Sequence, residues 1–146
     1  MSESNKTIRF EIATPERVVL KEEVAQVSVP TKQGEITILP DHILLVSILE
    51  PGVLEIVTSE GGRQTLAISG GFIQVLKDKV VVLADTAERA EEIDFDRADV
   101  ARAEAEKSMK ELRQEDKERF ASVSSKIAKE LARTKAVRRW KKVSGK

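Results

Sequence analysis

Leu83-Ala84-Asp85-Thr86-Ala87-Glu88-Arg89-Ala90-Glu91-Glu92-Ile93-Asp94-Phe95-Asp96-Arg97-Ala98 divides this chain of 146 residues into two unlike parts. Pro15, Pro30, Pro40 and Pro51 all precede it, and so does every glycine except Gly145. From Asp94 to Ser144 nothing breaks a helix by backbone chemistry. Charge splits at the same place. From Asp94 onward there are 16 basic and 10 acidic residues, which leaves 9 basic and 15 acidic of the 25 of each before it. The formal net charge of zero therefore joins an acidic front to a basic tail, a hint about partners rather than fold.

Before the divide, short apolar runs recur with turn signals between them. Ile8–Ile12 alternates strictly, as a half-buried strand does. Arg17–Leu20, Val24–Val29, Ile36–Leu39, Ile43–Leu49, Val53–Val57, Gln64–Ile68, Phe72–Leu76 and Val80–Leu83 follow. The nearly unbroken apolar run Ile43–Leu49 predicts burial on both faces. Pro51-Gly52 is expected to turn the chain and Gly70-Gly71 to interrupt it. About 8–10 strands at this spacing predict an antiparallel β-sandwich or barrel over residues 1–85.

Residues 86–93 form a linker, and residues 94–146 predict an antiparallel αα-hairpin, giving an α+β chain in two parts. Asp94 can cap the first helix. Ala98, Ala101, Ala105, Met109 and Leu112 fall on one stripe. Near Arg113–Asp116 the stripe lapses, and Asp116 can cap a second helix; without Gly or Pro there, one long helix is the alternative. Phe120, Val123, Ile127 and Leu131 form a second stripe, beside Ala128 and Ala132. Met109, Leu112 and this second stripe supply on the order of 10 kcal/mol gross when buried. Much of that is offset by ordering the loop and long side chains. The hairpin is thus expected to be marginal against its own sheet and able to open.

Function classes narrow quickly. With no Cys and one His, thiolate chemistry, disulfides and His-cluster metal sites are excluded. No run approaches the ~20 apolar residues of a membrane span, and the N-terminus has no apolar signal core, so a cytosolic setting without membrane insertion is expected. No Gly-x-x-x-x-Gly-Lys-Ser/Thr loop is present. A small enzyme lacks any paired catalytic constellation. A nucleic-acid module is opposed by the acidic front and by aromatics that are not interleaved with basic residues. Trp140 reads equally as an anchor on a partner and as a frayed helix end.

Several segments, in order, carry a family resemblance. Gly34-Glu35-Ile36-Thr37-Ile38-Leu39-Pro40-Asp41-His42 is similar to a Gly-Glu-x-Gly-x-Leu-Pro-x-His loop. Leu49-Glu50-Pro51-Gly52-Val53-Leu54, Ser69-Gly70-Gly71-Phe72 and Val82–Glu88 continue the match. Together they resemble the epsilon subunit of the F-type rotary ATP synthase, bacterial type. Thr37 and Leu44 depart from the pattern, standing where a glycine and a proline are usual. The resemblance implies a non-catalytic central-stalk subunit for proton-driven ATP synthesis, on the cytoplasmic face of the cell membrane. Its implied partners are the gamma subunit, the c-ring (through Glu35 and His42) and the catalytic alpha/beta hexamer. The hairpin would meet that hexamer and inhibit hydrolysis, with Lys129, Arg133, Arg138 and Arg139 chosen by charge. Ile93-Asp94-Phe95-Asp96-Arg97-Ala98 fits an Ile/Leu-Asp-x-x-Arg-Ala motif with which some members bind regulatory ATP. Glu88, Ile93, Asp94, Arg97, Ala98 and Arg133 are the candidate nucleotide residues. The alternative for Asp94 and Arg97 is a helix cap with a surface pair. No metal and no required cofactor is implied.

Overall fold

The computed structural model describes residues 6–111 and 117–144. Seven strands precede two helices: β1 (Ile8–Ala13), β2 (Val18–Thr31), β3 (Gly34–Ile38), β4 (Leu45–Thr58), β5 (Arg63–Val75), β6 (Lys79–Ala84), β7 (Ala87–Arg89), α1 (Phe95–Glu111) and α2 (Lys117–Ser144). Strand order β1-β6-β5-β4-β2 closes on itself because β1 also pairs β2. β3 is added on β2 and β7 on β5. All pairings are antiparallel except β1 with β6. The expected sandwich or barrel followed by two helices is therefore present.

Three pairs of predicted short strands are three long strands. β2, β4 and β5 run straight through Lys21–Glu23, Glu50–Gly52 and Ser69–Gly71. What the sequence records at these places is a slip in the phase of alternation. In β4 the core-facing side chain before the slip is Leu49, and those after it are Leu54 and Ile56. In β5, Leu66 and Ile68 give way to Ile73 and Val75. In β2, Val24 gives way to Val27 and Val29, across a bulge between Val24 and Gln26. An odd interval turns the inward face over, so each strand serves one layer with its first half and the other with its second. Gly71 sits at the slip in β5 with φ 135°. A Cβ there would stand 2.1 Å from the Leu83 carbonyl oxygen.

The core between the layers holds Ile8, Phe10, Ile12, Val24, Val27, Ile38, Leu54, Ile56, Leu66, Ile73 and Val82, among others. The expectation that Ile43–Leu49 is buried on both faces is corrected. Val46 is 70% and Ile48 66% exposed, with Ile43 and Leu44 also outside. The run is amphipathic by geometry: Leu45 and Leu49 point in, and the apolar residues between them point out.

The helices form an antiparallel hairpin, since Phe95 at the start of α1 lies beside Arg138 and Lys141 near the end of α2. The second apolar stripe is also corrected. Phe120 is 45% and Leu131 46% exposed, and Val123 and Ile127 are only half-buried. The α2 residues that are buried are Glu130, Ala132, Thr134, Ala136 and Val137. Small side chains let the helix backbone approach the sheet closely, so the larger ones are left to the side and toward the far end. The first stripe fares better: Ala98 and Ala105 are buried, Ala101 and Met109 half-buried. Leu112, the Arg113–Asp116 link and the Asp116 cap lie outside the described residues.

Candidate functional site

The seam between hairpin and sandwich collects most of the singled-out residues. Its floor is Val53 of β4 and Ala67 of β5, which face each other across the ladder. They point away from the core because of the phase slip just described. On them pack Ala136 and Val137 of α2, with Ala90, Ile93 and Ala98 at the edge and Phe95 and Trp140 partly buried beside them. Apart from Val53, Ile93 and Val137, the buried members are alanines, so the apolar contribution is on the order of 5 kcal/mol gross. That is thin beside the main core.

Ion pairs reinforce the seam. Arg133 reaches Glu88 on β7 (Nε–Oε1 3.0 Å) and Glu130 one turn earlier (Nη1–Oε2 3.0 Å). Burial works to lower the Arg133 pKa, but the hydrogen bond to Glu130 and the Glu88 charge outweigh it and hold it above the ordinary arginine value. At the end of α2, Arg139 donates to Glu35 at 3.3 Å. Arg138 and Lys141 flank the Phe95 ring, 5.5 Å and 5.3 Å from its centroid, a cation–π arrangement.

Within the Ile93–Ala98 segment, Ile93 and Ala98 are buried in the seam. Asp94 caps α1: its Oδ1 accepts the Arg97 backbone N–H at 3.1 Å. The Arg97 side chain is exposed and enters no ion pair among the described residues. Glu88 and Arg133, the other two nucleotide candidates, are bonded to each other. Of the four candidate inhibitory cations, Arg133, Arg138 and Arg139 are turned onto this chain's own groups, while Lys129 is half-buried on α2. Glu35 and His42 flank edge strand β3, one at its start and one in the loop beyond its end. Trp140 packs on the chain's own sheet.

Two features escaped sequence reasoning. Glu130 was hidden as one acid in a basic helix, yet its side chain is only 8% exposed. An exposed apolar row, Ile48–Phe72–Leu83, crosses β4, β5 and β6, its members in direct register. Val46 extends it along β4. The alternation in Phe72–Leu76 could have shown Phe72 pointing out, had the phase slip at Gly70-Gly71 been recognised. Among the described residues no group of His, Asp and Glu could hold a metal ion, and no helix is long and apolar enough to cross a membrane.

Comparison with known proteins agrees with this architecture. Residues 7–90 match the profile of the ATP synthase delta/epsilon chain β-sandwich domain. The ATP synthase epsilon chain of Chloroflexus aggregans is 55% identical over 98 residues, covering 67% of this chain and 70% of that one. That of Herpetosiphon aurantiacus is 52% identical over 104 residues, covering 71% and 76%. In the Euglena gracilis mitochondrial ATP synthase, solved as OSCP/F1/c-ring, one chain superposes with a TM-score of 0.77 at 26% identity, covering 87% of this chain and 79% of that one. The sandwich, the appended hairpin and these matches make the chain a member of the ATP synthase epsilon-chain family, a non-catalytic subunit of the rotary enzyme.

Proposed function

We propose that the sandwich seats in the central stalk, against the gamma subunit and the c-ring, and that the hairpin restrains ATP hydrolysis when it leaves the sandwich. One observation carries this reading. The hairpin is held by a thin alanine-rich seam and by cations that are each already engaged within the chain. Such a contact can be exchanged for another of similar strength, as a regulatory arm requires. Arg133, Arg138 and Arg139 would then trade Glu88, Phe95 and Glu35 for acidic surface of the alpha/beta hexamer.

The row Ile48–Phe72–Leu83 supplies a docking face for gamma, since apolar side chains in register form a contiguous patch. Edge strand β3, with Glu35 and His42 at its flanks, supplies the ring-facing side. The subunit would thus be peripheral to the cytoplasmic face of the membrane. Regulatory ATP at Ile93–Ala98 belongs to the same proposal. It is supported by the motif and by the adjacency of Glu88 and Arg133, whose ion pair a bound phosphate would displace.

The test adds the full chain, and a form lacking residues 95–146, to a catalytic complex containing gamma. Both should bind, and only the full chain should lower ATPase activity. Failure to bind gamma, or equal inhibition by both forms, would overturn the reading.

A further inference from the structure

A concavity of about 310 Å³ opens at one end of the exposed row formed by Ile48, Phe72 and Leu83. Its walls are the turn after β1 (residues 13–15), Gly71 and Phe72 of β5, and residues 83–85 at and just beyond the end of β6. Each wall is fixed. Thr14 Oγ1 holds the turn by accepting the backbone N–H groups of Glu16 and Arg17 at 3.3 Å and 3.4 Å. The Asp85 N–H donates to the Gly70 carbonyl oxygen at 3.0 Å. Asp85 Oδ2 lies 3.4 Å from the position a Gly70 Cβ would take. Asp85 is the one charged side chain lining the concavity. It is exposed and enters no ion pair among the described residues. His42 lines a different cavity, at the turn that joins β5 to β6. The length of β6 sets the concavity roughly 15 Å from that turn, so it belongs with the apolar row and not with the ring-facing loop.

We propose that the concavity receives an arginine side chain of the gamma subunit, with its stem along Phe72, Leu83 and Pro15 and its guanidinium on the Asp85 carboxylate. This rests on the assignment of the Ile48–Phe72–Leu83 row to gamma. An arginine lays its apolar stem on apolar walls and keeps its head at the wet rim. Its planar fork binds a carboxylate through two hydrogen bonds and stacks on a neighbouring aromatic ring, which Phe72 supplies. The volume stands at the bottom of the roughly 300–1,000 Å³ of small-molecule sites and accommodates one long side chain. An aliphatic occupant would fill the same walls but cover Asp85 without a partner, a cost that a cation avoids. Arginines seated in such central pockets are frequent anchors of protein interfaces.

The full chain is bound to an immobilised catalytic complex that contains gamma and lacks its own copy of this subunit. Asp85→Asn should raise the Kd about tenfold, mainly through faster dissociation, at an unchanged melting temperature. Added salt should weaken the native chain more than this variant. Asp85→Glu, which keeps the charge, should recover part of the affinity, and Asp85→Lys should nearly abolish binding. Unchanged affinity in Asp85→Asn, or equal salt dependence of the two chains, would overturn the proposal. So would tighter binding by Asp85→Leu, which would assign an apolar occupant instead. Ile48→Asp, which does not line the concavity, tests the gamma face by itself. Loss of binding there with no effect of Asp85→Asn removes the arginine alone; unchanged binding there removes the face and the arginine with it.

Discussion

Replacing Arg133 by methionine should loosen the hairpin while leaving the sandwich intact. Methionine keeps much of the aliphatic stem and its packing but removes the guanidinium. Two contacts go with it. The Glu88 pair ties α2 to β7, but its partners are 23% and 32% exposed, so roughly 1 kcal/mol is its share. The Glu130 contact lies within α2 and can persist when the hairpin opens. Its loss matters because Glu130 is then left buried and unpaired in the docked form alone, a cost of about 2 kcal/mol. Together these favour opening by about 3 kcal/mol, or roughly a hundredfold in the opening equilibrium.

Amide exchange resolved by residue is the assay. Amides of residues 130–140 should exchange up to a hundredfold faster, and those of β4 and β5 at Leu54, Ile56, Leu66 and Ile68 should not change. Glu88→Gln should give only about a fivefold effect. Adding Glu130→Leu to Arg133→Met should recover most of the loss, because the stranded carboxylate is gone. The pH sign follows from the raised Arg133 pKa. A cation raised in the folded form gives its stabilisation below its unfolded pKa and loses it only as pH rises through the folded one. The Arg133 contribution should therefore be flat from pH 6 to 9. Acceleration of sandwich and hairpin amides in step, or no change in either, would refute this partition of the molecule.

Gly71→Ala should cost roughly 3 kcal/mol or more, because both the positive φ and the Leu83 carbonyl oxygen exclude a side chain; thermal melting would show a large drop. Phe72→Asp should move the melting temperature little, since the side chain is exposed, yet abolish co-purification with gamma. Asp94→Ala should cost about 1 kcal/mol by removing the α1 cap, seen as faster exchange confined to the first turn of that helix.

The sequence makes the division at Leu83–Ala98 legible because it changes backbone chemistry and hydrophobic period together. The strands were less so. Pro51-Gly52 and Gly70-Gly71 look like turns, and only the partner strand reveals that the chain passes through them extended. The sheet-facing side of α2 was obscured for another reason. Phe120, Val123, Ile127 and Leu131 make the more conspicuous stripe, but the residues packed on the sheet are Ala136 and Val137. At the site, the identities of Glu88, Asp94 and Arg133 could be read directly, whereas their present bonding depends on distances that no spacing rule supplies.

The two strands that change sides at matching levels have a mechanical consequence. β4 and β5 carry the body's two faces on the same pair of covalent chains, paired in register on either side of the slip at Leu49 opposite Gly71 and Gly52 opposite Ile68. A twisting load applied to one face is thereby passed to the other along main-chain bonds, with no loop in the path to give way. For a part that must turn with its shaft, stiffness in torsion counts for more than depth of burial, and it is built in at the point where a sequence reader sees only a break.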